Sequence, residues 1–273
     1  MKVSTRVKIL IATLAIPFVF LALTAFDINL PIYQDNRDII VPAILAFIEM
    51  MLVAWVVNFR LKGERIFTVL VFPALSLAIF VSFLSILVDT TGSSLDRIST
   101  LIFSAIVLAI ITYILTANIN ILNLTSIKNI PLGQAGRAAH YVLTLVFSYF
   151  SFVLIISLGL PFLLKPLLVF ALIFTYTFVS LWTINLAYNY RLLSSLGISL
   201  LITMAYMVLG LWPIDSFYYA LFMVLVYYML LGVSLEIREI ISKWIWYEYG
   251  AIFLTIMLIL LATANWGVNG TIF

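Results

Sequence analysis

One acidic residue, Glu49, stands well inside a long apolar run, and it is the side chain with the most chemistry to offer. An ionised group at the centre of a bilayer costs on the order of 3 kcal/mol or more, so a carboxyl at that depth is protonated, hydrogen-bonded or facing water. Such a group suits a proton or cation coupling site, or a polar anchor for a substrate. The plainer role is a hydrogen bond that joins two helices.

Amides gather at a second depth. Asn58 ends one apolar run, Asn118, Asn120 and Asn123 end another, and Asn185 and Asn189 end a third. Thr112, Thr116, Asn120 and Asn123 are spaced by four, four and three, which lays them along one face of a helix. With Glu49 deeper, the set Glu49, Asn58, Thr112, Thr116, Asn120, Asn123, Asn185 and Asn189 reads as the lining of a hydrated vestibule. The competing role is helix capping and interhelical glue, each contact worth under about 2 kcal/mol. Thr116-Ala117-Asn118 and Thr183-Ile184-Asn185 echo one another, but two shared identities establish no repeat.

Gly133-Gln134-Ala135-Gly136 precedes Arg137 and His140. Free amides at a helix start can bind phosphate, yet no P-loop lysine follows, and an ordinary turn into a helix accounts for the same residues. Contact of Lys128, Arg137 and His140 with anionic lipid headgroups is the expectation instead. His140 is the sole histidine, too few for a zinc site that needs several ligands. H-E-x-x-H and G-x-S-x-G are absent. The chain has no cysteine, which excludes disulfides, thiolate metal sites and cysteine nucleophiles. No catalytic residue, cofactor or metal site is assigned, and the reading leans away from an enzyme.

The elements that position these residues follow from composition. Of 273 residues, 65% are hydrophobic and 9% charged, against roughly 45–50% and about 25% in soluble domains. Because open strands cannot satisfy their backbone groups in hydrocarbon, long apolar runs mean helices. The expected fold is an all-α polytopic membrane bundle of about nine spans forming a single transmembrane domain. The spans are placed at about 9–26, 39–58, 66–88, 98–122, 140–160, 164–188, 192–211, 217–235 and 245–264. Gly159-Leu160-Pro161 and Lys165-Pro166 mark the break between the fifth and sixth. The first run is longer than the roughly 7–15 residues of a signal-peptide core, so it reads as a retained span. Segment 236–246 repeats its apolar residues at helical spacing and fits an in-plane amphipathic helix.

Charge placement gives an orientation. Cytoplasmic loops collect Lys and Arg, and alternating segments from an internal N-terminus hold Lys2, Arg6, Lys8, Arg60, Lys62, Arg65, Lys128, Arg137, Arg191, Arg238 and Lys243. The other side keeps only Arg37, Arg97 and Lys165. This asymmetry favours a cytoplasmic N-terminus and an external C-terminus.

Three function classes survive, in this order: a small transporter, permease or lipid flippase; a structural or accessory subunit of a larger membrane complex; and a membrane-embedded lipid enzyme. The expected partners are the lipid bilayer and either a membrane-protein partner or a second copy of the chain. The formal charge of +3 reports topology and not nucleic-acid binding. A prokaryotic cytoplasmic membrane is the expected location.

Overall fold

The computed structural model describes residues 4–25, 37–59, 61, 63–89, 94–125, 132–184, 186–212, 214–236 and 243–263. Among these residues there are nine α-helices and no strand: α1 (Thr5–Ala25), α2 (Arg37–Val56), α3 (Glu64–Asp89), α4 (Ser94–Thr125), α5 (Gly133–Ser157), α6 (Leu164–Trp182), α7 (Tyr188–Leu209), α8 (Ser216–Glu236) and α9 (Lys243–Thr263). The first eight are long and apolar enough to cross a membrane. The protein is an all-α integral membrane protein, because each helix satisfies its own backbone in a solvent that offers no hydrogen bonds.

Prolines 17, 42 and 73 lie inside α1, α2 and α3. The two boundaries that differ most from the spacing of apolar runs are the start of α5 and the end of α6. Helix α5 begins at Gly133, a full turn and more before 140. The reason is steric: a Cβ on Gly133 would meet Thr125 Cγ2 at 2.5 Å, and one on Gly136 would meet Ile121 Cγ2 at 2.8 Å. These glycines let α5 run against α4 at close range, so Gly133–Gly136 is the first turn of a packed helix and not a connecting turn. Helix α6 stops at Trp182 instead of 188, where the Thr183 hydroxyl and amide both donate to the Ser180 carbonyl. The break at Gly159 to Lys165 is present, and Lys165 closes it by donating from Nζ to the Ile156 carbonyl at 3.1 Å. Residues 237–242 of the amphipathic segment fall outside the described residues.

The chain divides into two compact units, Met1–Leu143 and Thr144–Phe273. In unit 1, α2 packs along α3 and α1 along α4. The turn after α2 is fixed by Asn58, which adopts φ 60°. Phe59 N–H donates to the Ala54 carbonyl at 2.8 Å and Asn58 N–H to that of Trp55 at 3.1 Å, the pattern of a left-handed helix cap for which asparagine ranks after glycine. In unit 2, α6 packs along α7, and α7 and α9 each pack on α8.

Candidate functional site

The candidate site forms where α2 meets α4 in unit 1. Glu49 is completely buried, and Thr112 and Thr116 are buried opposite it. Thr116 Oγ1 lies 3.1 Å from Glu49 Oε1 and 2.7 Å from the Thr112 carbonyl oxygen. Thr112 in turn donates to the Leu108 carbonyl at 2.8 Å. The second carboxyl oxygen, Glu49 Oε2, has no hydrogen-bond partner among the described residues.

At a rise of about 1.5 Å per residue, Glu49 lies roughly 10 Å inside the last residue of α2 and Thr116 roughly 13 Å inside the last residue of α4. The pair therefore lies about two turns inside the end of α2 and about two to three turns inside the end of α4. The same end of unit 1 carries Lys8, itself buried. Its Nζ donates to the Trp55 carbonyl at 2.9 Å and to Asn58 Oδ1 at 2.7 Å, and it stands 4.9 Å from the centre of the Trp55 ring. Lys8 thus ties α1 to the end of α2, well short of Glu49.

On α4 the amides take different roles. Asn118 donates from Nδ2 to the Gly136 carbonyl at 2.8 Å, helping to hold α5 on α4, while its Oδ1 is buried without a hydrogen-bond partner among the described residues. Asn123 is buried and Asn120 half-buried. Ser76 Oγ on α3 and Ser104 Oγ on α4 are two further buried oxygens in unit 1 with no such partner.

The structure brings together Glu49, Thr112 and Thr116, but not the whole expected set. Asn58 is exposed in its turn and serves Lys8. Asn189 is exposed in the first turn of α7, in unit 2, and Asn185 lies outside the described residues. Lys128 also lies outside them, and Arg137 is half-buried. His140 departs from its expected place: it is 1% exposed, with its ring 4.4 Å from that of Phe72. An imidazole enclosed in this way is a packed core group and does not reach a lipid headgroup.

Sequence reasoning missed the clamp made by Lys8 and the bond from Asn118 to Gly136. The only available signal for the second was the three-residue spacing of Gly133 and Gly136, a small-residue pattern that lets membrane helices approach closely. No protein-family profile, curated protein or solved structure matches the chain.

Proposed function

We propose that the protein is a small membrane transporter or permease that works through Glu49, with the end of unit 1 that carries Lys8 facing the cytoplasm. One observation carries this reading: a fully buried carboxyl holds one oxygen against Thr116 while its other oxygen has no hydrogen-bond partner among the described residues. A carboxyl retained only to join two helices is expected to close both oxygens, because an unmet buried acceptor costs about 1–3 kcal/mol. An open acceptor at this depth is suited to water, a cation or a polar group of a substrate that occupies it for part of a cycle. The orientation rests on the Lys and Arg distribution, and Lys8 and Asn58 lie at the same end.

The absence of cysteine makes the test direct. Single variants Glu49→Cys, Thr116→Cys and Asn120→Cys, in native membranes, are expected to react with a small water-soluble maleimide, with Asn120→Cys the fastest. Protection of all three, with labelling restored on denaturation, sinks the proposal. On reconstitution, a substrate-evoked current on solid-supported membranes is expected to fall at least tenfold in Glu49→Gln. An unchanged current sinks the proposal equally.

A further inference from the structure

The identity of the ion handled at Glu49 follows from donor and acceptor accounting, and this step rests on the transport reading above. A threonine hydroxyl carries one proton and accepts through its lone pairs. Thr116 Oγ1 has two oxygens in reach, the Thr112 carbonyl at 2.7 Å and Glu49 Oε1 at 3.1 Å, and it can donate to only one of them at a time. If it donates to Thr112, its lone pair faces Glu49, and the Oε1 contact is a hydrogen bond only when the carboxyl supplies the proton. If it donates to Glu49, Oε1 is the acceptor, a role open to a carboxylate and to the carbonyl oxygen of a protonated carboxyl.

We propose that the ion taken up at Glu49 is a proton, and that the Thr116 hydroxyl turns between Glu49 and the Thr112 carbonyl as that proton arrives and leaves. On uptake, a hydronium gives H⁺ to Glu49 Oε2: one O–H bond of the hydronium breaks, leaving water, one forms on the carboxyl, and the site goes from minus one to neutral. The carboxyl group then turns so that its protonated oxygen donates to Thr116 Oγ1, and the Thr116 O–H turns to Thr112. Release runs the same exchange backwards, with the proton returned to water. Glu49 Oε2, buried and without a hydrogen-bond partner among the described residues, is the acceptor with no bond to give up when that donor arrives.

The surrounding charges favour a proton over a metal cation. The helices packed on α2 are α1, α3 and α4. Their described ionisable side chains are Arg6 and Lys8, Glu64 and Arg65, and Asp96, Arg97 and Tyr113. Lys8 alone of these is buried, and its Nζ is held at Trp55 and Asn58. On α2 itself Asp38 is exposed and Arg37 donates to the Thr24 carbonyl at the opposite end of the helix. His140 packs on Phe72 of α3. Among the described residues no group of three acidic or histidine side chains exists to surround a metal ion. A cation at Glu49 would have one carboxylate and a hydroxyl already committed to its neighbours, whereas hard cations take six or more oxygens. A proton needs only the carboxylate.

Infrared difference spectroscopy between acidic and alkaline buffer tests this on the full chain in phosphatidylethanolamine and phosphatidylglycerol vesicles, with sodium or choline as the salt. The expected result is a protonated-carboxyl band that is lost in Glu49→Gln, moves to higher wavenumber in Thr116→Val, returns in Thr116→Ser, and is unchanged by sodium. If Glu49→Gln does not fold, the Thr116→Val shift and its recovery in Thr116→Ser still assign the band. A band that sodium removes at constant pH overturns the proton, and so does a folded protein with no band sensitive to either residue. A silent transport assay with the titrating band intact would defeat the transport reading alone. A sodium-sensitive band with transport intact would defeat this inference alone.

Discussion

Both units bury hydroxyl and amide groups among apolar helices, yet they complete them differently. In unit 2 six buried side chains close on one another across helices in three pairs: Thr144 with Ser180 at 3.2 Å, Ser151 with Tyr176 at 3.3 Å, and Thr177 donating to the Tyr227 hydroxyl at 3.2 Å. Three residues of α6, Tyr176, Thr177 and Ser180, supply one member of each pair. The buried cation of this unit, Arg191, stands 4.6 Å from the Phe178 ring and 5.6 Å from that of Tyr188, so aromatic faces surround its charge. In unit 1, Glu49 Oε2, Ser76 Oγ, Ser104 Oγ and Asn118 Oδ1 are buried with no hydrogen-bond partner among the described residues. Closed pairs act as glue between helices. Open acceptors in hydrocarbon instead mark places where water or a ligand completes the structure.

Three substitutions break or sharpen this contrast. The largest effect is expected from Gly136→Val, which drives a side chain into Ile121 and displaces the Asn118 bond to the Gly136 carbonyl. Overpacking of this kind costs about 1–3 kcal/mol, read as a lower unfolding midpoint in detergent and as loss of the Glu49 infrared band. A Gly136→Val protein with wild-type stability would show that α5 does not depend on this approach. Next comes Tyr227→Phe in unit 2, which removes the acceptor for Thr177. Its cost is expected at about 0.5–1.5 kcal/mol, with maleimide labelling and the carboxyl band of unit 1 unchanged. A change in either signal would end the division into glue and site.

The smallest effect is expected from Ser76→Ala. Deleting an already unmet hydroxyl is expected to leave stability within about 0.5 kcal/mol of wild type or to raise it. A loss comparable to that of Tyr227→Phe would mean that Ser76 has a bound water as a full partner, and the buried interior of unit 1 would then be wet at this point too.

Much of the fold was legible from residue types alone. Apolar run length located the nine helices of the described residues, eight of which are long and apolar enough to cross a membrane, and a break lies at Pro161 to Lys165 between α5 and α6. The four-residue step from Thr112 to Thr116 put both on one face, and both are buried there. The site was less legible. The partner of Glu49 lies 67 residues away, and nothing in either segment selects it. Asn118, two residues from Thr116 and off the expected stripe, turns out to be the amide that binds α5. His140 has the composition of an interfacial group and the surroundings of a core one.

The sequence by itself determined that this chain is a set of membrane-spanning helices, because in hydrocarbon the backbone must satisfy itself and few structures do so. Only the tertiary structure decided which polar side chains meet. That choice depends on how each helix is rotated about its own axis, and helices apolar on every face carry little periodicity from which the rotation could be read. Close packing at Gly133 and Gly136, the clamp of Lys8 on α2, and the approach of Thr116 to Glu49 set those rotations in unit 1. From them follows the state of Glu49 Oε2, buried without a hydrogen-bond partner among the described residues.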